Sequence, residues 1–291
     1  MSGAAPSAVW PPAHGFWRRA RRHPGLLVGA ALTLALLLAA ALSLVWTPYD
    51  VYGVNMDAAL LPPGAAHWLG TDAYGRDVLS LLLVGARASI LVGLIAVGIG
   101  LVVGTALGLL AAARGGWVEE AIMRVSDFGF AFPAILTAIM LTAVYGPGIV
   151  NATIAIGIYN IPTFARITRA AAKVVWSRDY VRAARAMGKD AWAITWRHVL
   201  PNIMAVLLVQ GTIRFAIAIL AEAALSYLGL GTQPPQPSWG RMLAEAQTLM
   251  FQSPLLAVWP GLAIALSVLG LNLLGDGLRD VLDPRLRQRR D

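Results

Sequence analysis

Residues 180–202 read YVRAARAMGKDAWAITWRHVLPN, a basic, helix-forming stretch set between two strongly apolar ones. Val181, Ala184 and Met187 recur at three-residue spacing and share one side of a helix, while Arg182, Arg185 and Lys189 fall on another. Ser177 and Asp179 suit the N-terminal cap of this helix, Gly188 its C-terminal cap, Asp190 the cap of a second helix, and Pro201 the first turn of the apolar span that follows. The expected unit is therefore a helix, a sharp turn and another helix, held between two membrane spans. Small residues at Ala183, Ala184, Ala186 and Gly188 leave the backbone open to close approach by a partner groove. A basic helix resting on a lipid surface satisfies the same pattern.

Composition supplies the setting. Hydrophobic residues make up 58% of the chain and charged residues 13%, with a mean hydropathy of +0.66, the profile of a polytopic membrane protein. A bilayer core about 30 Å thick takes roughly 20 apolar residues as helix. Six candidate spans are present. Residues 26–46, 90–113 and 255–274 contain no Lys, Arg, Asp or Glu, whereas 128–145, 148–164 and 203–225 carry Pro133, Asn151, Asn160, Arg214 and Glu222. These runs are too long and too uniformly apolar for the alternating strands of a membrane barrel, so the expected fold is all-α with six transmembrane helices. The first span follows Arg18, Arg19, Arg21 and Arg22 and could pass for a secretion signal, but its length predicts a retained anchor.

Orientation follows from the basic residues, which concentrate in cytoplasmic segments. Of the 23 Lys and Arg, only Arg76, Arg87, Arg214 and Arg241 fall outside the two termini, the turn between spans two and three, and the segment between spans four and five. Both termini and the 180–202 hairpin are therefore expected on the cytoplasmic side of a prokaryotic inner membrane. The net charge of +8 reflects this topology and contact with the anionic lipid bilayer, not nucleic acid.

The segments between spans, the longest being 47–89, 165–202 and 226–254, are each shorter than the roughly 50 residues a self-supporting domain needs. No soluble catalytic domain fits. Gly188-Lys189 is followed by Asp190, and Ala183 occupies the position of the first loop glycine, so this is no phosphate loop. His14, His23, His67 and His198 lack metal-ligand spacing, no G-x-S-x-G occurs, and the chain has no cysteine. The expectation is a chain with no catalytic residue, metal or cofactor of its own. If ATP is used, another subunit binds it.

Ala183-Ala184, three residues, Gly188, and then Leu200-Pro201 resemble the EAA loop of ABC-importer permeases. Arg182 stands where the consensus has Glu and His198 where it has Ile, departures similar to those of the peptide-transport branch, Y-V-x-A-A-R-A-x-G ending H-x-x-P-N. The resemblance extends from Arg18 to Arg285. His67-Trp68-Leu69-Gly70-Thr71-Asp72 with Gly75-Arg76-Asp77 looks like the external sequence after span one of the C-type subunit of dipeptide and oligopeptide permeases. Residues 221–231 (AEAALSYLGLG) with Pro234-Pro235 and Ser238-Trp239-Gly240 resemble that subunit's end of span five, and Gly275 to Asp280 followed by Leu282-Asp283-Pro284 its tail. Nickel and glutathione importers share much of this pattern.

The resemblance implies a type I ABC importer permease fold: a cytoplasmic tail (1–24), a first helix with an external segment similar to the N-terminal region of C-type permeases (25–85), a permease core (86–276) and a basic cytoplasmic tail (277–291). It implies a coupling helix, with Tyr180, Arg182, Ala183, Ala184, Arg185, Gly188, Asp190, His198 and Pro201, set into a cleft of an ATPase subunit. The implied partners are a B-type permease, two ATP-binding subunits that hold ATP and Mg, and an external solute-binding protein. The implied substrate is a dipeptide or oligopeptide.

Within the pore, charge is the guide. Arg214 lies roughly 18 Å beyond the start of span five, near midplane, where a charge should face protein or water. It is read either as an interhelical contact, for instance with Gln210, or as part of the translocation pathway. Glu222, near the external end of the span, either neutralises a peptide amino group or fixes the loop that follows. Gly100, Gly104 and Gly108 at i+4 spacing permit close helix packing, and Asn151, Asn160 and Asn272 join helices. Asp72, Arg76 and Asp77 are candidates for contact with the receptor or the partner permease. Trp46, Trp239 and Trp259 are expected to anchor at the membrane interface. An ion-coupled secondary transporter is the competing class, and the sequence opposes it by lacking an inverted repeat and a series of buried acidic residues along the spans, where Glu222 near the external end is the one carboxylate.

Overall fold

A computed structural model describes residues 19–282. Arg18 before the first span, and Asp283, Pro284 and Arg285 of the tail, lie outside them. Among the described residues there are helices and no strand, apart from a single bridge between Thr71 and Asp77.

Helix α1 (Pro24–Val45) starts with proline in its first turn, where the missing N–H costs nothing, and His23 Nδ1 accepts from Leu26 N at 3.1 Å. Helix α2 runs from Val78 to Arg114 through a π turn at Gly100–Gly104. Helices α3 (Gly116–Ala131) and α4 (Ala134–Tyr145) meet at 85°. The bend falls at Phe132-Pro133, where proline forces its predecessor into extended backbone, φ −102° and ψ 133°. Helix α5 (Ile149–Trp176) leads to the short α6 (Asp179–Ala186), α7 (Ala191–Tyr227), α8 (Trp239–Ala246) and α9 (Leu255–Leu282).

Four helices, α1, α2, α7 and α9, are long and apolar enough to cross a membrane, and the bent pair α3–α4 makes a fifth such unit. Helix α5, diluted by Asn151, Asn160 and Pro162, holds the fourth span of the sequence. It packs against α2, α3, α4 and α7, so neighbouring helices cover much of its surface in place of lipid.

Several boundaries differ from those expected, α9 running past Leu274 to Leu282 and α3 starting at Gly116 ahead of Phe128. Helix α2 begins at Val78, not Ile90, because Asp77 caps it; α5 continues past Phe164 to Trp176; and α7 begins at Ala191, ahead of the apolar run. Hydropathy marks where a helix is apolar, whereas helix geometry continues as long as caps and partners satisfy its polar residues.

Two close seams hold the bundle. On α2, a Cβ at Gly100, Gly104 or Gly108 would stand 2.4–2.5 Å from Asn160, Ile161 or Ala165 of α5, so the helices approach at backbone distance, with Phe164 fully buried between them. The second seam joins α1 to α9. A Cβ at Gly29 would meet Leu274 N at 2.3 Å, and one at Gly277 would meet Leu26 Cβ at 2.6 Å. Its base is pinned by His23 Nε2 and Asp280 at 3.1 Å. In apolar surroundings such van der Waals contact is a principal source of helix association.

Gly104→Ala should cost about 1–3 kcal/mol by overpacking. Gly98→Ala on the same helix, where an added Cβ meets nothing within 4 Å, should be neutral or stabilising by up to about 1 kcal/mol. Thermal unfolding of the two purified variants checks this, and equal midpoints would refute the seam.

Candidate functional site

The hairpin at residues 177–202 is built by local chemistry. Gly188, at φ +79°, ends α6: Gly188 N donates to Arg185 O at 2.9 Å and Lys189 N to Ala184 O at 3.2 Å, the paired bonds of a left-handed C-cap. Asp190 caps the next helix, accepting from Ala193 N at 3.0 Å. The first cap differs from expectation. Arg178, in extended backbone and with no side-chain bond, precedes α6, and Ser177 Oγ donates back to Val174 O, closing α5 instead.

Val181 and Ala184 are buried against the bundle, but Met187, expected beside them, is 72% exposed because the helix ends at Ala186 and its stripe ends with it. Arg182, Ala183, Arg185, Gly188, Lys189 and Asp190 are all exposed. Tyr180 packs edge-on against His198 with centroids 6.2 Å apart, fastening α6 to α7, and its burial raises the phenol above its usual pKa, so it stays neutral. Pro201 does not open a separate span. It lies inside the continuous α7, directly after a π turn at Thr195–Val199. The wider turn makes room where Pro201 lacks an N–H for the carbonyl of Arg197, and Asn202 Nδ2 reinforces the place by donating to His198 O at 2.6 Å.

The basic residues of this region fall into two sets. Three on α5 are engaged by α3: Arg166 pairs with Asp127, and Arg169 and Lys173 converge on Glu119, the lysine at 2.6 Å. The cations of the hairpin itself face solvent, and the ion pair there, Arg182 with Asp179 at 3.7 Å, is fully open to water. The α3 clamp was missed in the sequence, although Arg166, Arg169 and Lys173 share a helical stripe. Beside the hairpin, α2 and the start of α7 enclose an apolar groove of 460 Å³ lined by Leu101, Thr105, Leu109, Trp192, Trp196 and Met204, among others.

Arg214 lies in the part of α7 that faces α5; its side chain is half-buried, and its Nε is buried without a hydrogen-bond partner. Glu222 is fully buried. Its Oε1 accepts from Ser226 Oγ at 2.7 Å and Thr232 Oγ1 at 3.2 Å, tying α7 to the loop beyond it.

At the far end, Asp72, Arg76 and Asp77 are engaged inside the chain. Arg76 bonds Asp72 at 2.6 Å and Glu245 of α8 at 3.0 Å. Asp77 accepts from Ser80 N and Oγ, each at 2.8 Å, and lies 2.9 Å from His67. Asp50, Asp57, Tyr49, Tyr52, Trp68 and Tyr74 are among the exposed groups of that segment. Trp239 is no interface anchor: it is buried on Gly85 and donates to Leu82 O at 3.0 Å, locking α8 onto α2.

A helical bundle in which two long helices flank a short exposed hairpin is the fold of a type I ABC importer permease. The structure reported as inward-facing conformations of the MetNI methionine ABC transporter superimposes with a TM-score of 0.58 at 18% identity, over 70% of this chain and 97% of that one. Residues 104–288 match the family described as binding-protein-dependent transport system inner membrane component, and the chain belongs to that family. Residues 12–63 match the N-terminal TM domain of oligopeptide transport permease C. The chain is similar to the glutathione transport system permease protein GsiD of Pectobacterium atrosepticum, 44% identical over 96% of this chain and 93% of that one. The GsiD of Escherichia coli O6:K15:H31 is 45% identical over 97% and 93%.

The α3 clamp is pH-sensitive in a definite direction. Lys173 first, then Arg169, hold the Glu119 carboxyl below the usual carboxylate range. A carboxylate so held adds stability above its unfolded-state pKa, and that stability is lost as pH falls through the lower folded-state pKa. Glu119→Gln should therefore cost about 1 kcal/mol at neutral pH, a modest figure because both cations are partly exposed. Variant and parent should converge in acid below the carboxylate range, as read by thermal midpoints across a pH series.

Proposed function

We propose that this chain is the half-pore and lever of an ATP-driven importer of short peptides. The observation that carries the reading is the exposed basic hairpin set between two long helices, in a chain of the inner-membrane permease family. The hairpin docks in a cleft of an ATP-binding subunit, with the exposed Ala183 and Gly188 giving close approach and Arg182 and Arg185 complementary charge, while Ala184 faces the bundle and Tyr180 fastens the hairpin to α7. Closure of the two ATP-binding subunits around ATP and Mg moves the hairpin, and α5 and α7 carry the movement into the membrane. This chain hydrolyses nothing itself. The pore is completed by a B-type permease, and an external solute-binding protein delivers the ligand. Both termini and the hairpin face the cytoplasm, in line with the distribution of Lys and Arg.

Among short peptides, glutathione is favoured by the GsiD relatives at 44% and 45% identity; dipeptides and longer oligopeptides remain within the same reading. The alternating-access cycle is a shift of population set by differential contacts of ATP and loaded receptor with the two states.

Reconstitution in liposomes with the partner permease, ATP-binding subunits and receptor tests this. The assembled complex should import radiolabelled glutathione or dipeptide only with ATP, and the chain alone should show no ATPase activity. Arg182→Glu with Arg185→Glu should lower uptake by about tenfold or more, the loss expected from reversing charge at a docked interface, while leaving insertion of the chain intact. Uptake by the chain alone down a proton gradient would replace this reading with a secondary transporter.

A further inference from the structure

Arg214 stands halfway along the membrane part of α7, about 20 Å from Pro201 and about 20 Å from Tyr227 at helical rise. It shares a helical stripe with Leu207 and Ala218, both buried in the core cluster that α7 forms with α5. The guanidinium thus lies at the α5–α7 seam, half-buried, with its Nε enclosed and unpartnered.

Nothing in the described chain neutralises it. The described ion pairs all lie elsewhere. Glu222, two turns further on, directs Oε1 to Ser226 and Thr232. Helix α9 meets α7 through Gly275 against Thr212, and its Asp276 is exposed. A cation at this depth without a counter-ion is costly, and such residues mark pathways more often than they serve packing.

We propose that Arg214 is the station that receives the carboxylate of the translocated peptide, an inference that rests on the peptide-importer reading above. A guanidinium offers donors in a planar fork that matches a carboxylate in bidentate fashion. Every short peptide with a free C-terminus carries that group, and glutathione carries more than one. The same charge disfavours a free metal cation such as nickel. Because the seam leaves the guanidinium half open, the contact is strong enough to draw an anion in and weak enough to release it, as conduction requires.

The test uses the assembled complex in proteoliposomes, with radiolabelled glutathione and trialanine as probes. Arg214→Gln should lower uptake of both by roughly tenfold or more, the scale of a lost charge-assisted hydrogen bond. Arg214→Lys should retain a substantial part. In the unmodified complex, trialanine should enter several-fold faster than trialanine amide at equal receptor loading. Undiminished uptake by Arg214→Gln, equal failure of the Gln and Lys variants, or equal entry of acid and amide would overturn the station while leaving the importer standing. An unmodified complex that hydrolyses ATP yet moves neither probe would overturn the importer reading, and the station with it.

Discussion

A hairpin outside the bilayer can move a pore inside it only if no soft joint lies between them, and the backbone of α7 meets that constraint. Within lipid every N–H and C=O needs an internal partner, so a spanning segment is helical and stiff. Here the same helix continues past the apolar run to Ala191 and the Asp190 cap. Pro201 would ordinarily interrupt it. The π turn at Thr195–Val199 absorbs the missing bond, and Asn202 ties down the neighbouring carbonyl of His198. The place where a joint is expected is instead a reinforced splice.

The other arm, α5, is stiff for a different reason. It carries Pro162 and two asparagines, poor material for an isolated helix, yet it lies among α2, α3, α4 and α7. The α2 glycines bring it to backbone distance, and the α3 acids hold its charged end. Short-range packing and ion pairing thus replace intrinsic propensity. Displacement of the hairpin would drive α2 and α3 with α5, because each is fixed to it by contacts that tolerate little separation.

The apolar spans, the hairpin and its Gly188 and Asp190 signals were legible in the sequence because each rests on local chemistry: hydropathy, a left-handed turn, a capping carboxylate. Helix ends were less legible. Val78, Trp176 and Ala191 lie where hydropathy has already changed, and their helical state depends on Asp77, on α3 acids distant in sequence, and on Asp190. The segment around Asp72, Arg76 and Asp77 was misjudged for the same reason. In the sequence, charges beside aromatics look like a surface, and only the fold brings Glu245 to Arg76 and Ser80 and His67 to Asp77. Trp239 likewise reads as an interface aromatic until Gly85 offers a place for its ring.

Arg214 and Glu222 lie on one helix, and the contrast between them separates two uses of a membrane charge. Glu222 is sealed from solvent, with two hydroxyls donating to its Oε1 and its Oε2 enclosed without a partner. Exchanging those bonds for a peptide amine would require α7 and the following loop to part. Arg214 also has one enclosed atom with nothing to bond, its Nε, but its guanidinium is partly open and no carboxylate is paired with it among the described residues. What separates the two is access: the Glu222 carboxyl is fully enclosed, whereas the Arg214 guanidinium can be reached by an anion. That difference in access is what favours the recognition role proposed for Arg214 over one for Glu222.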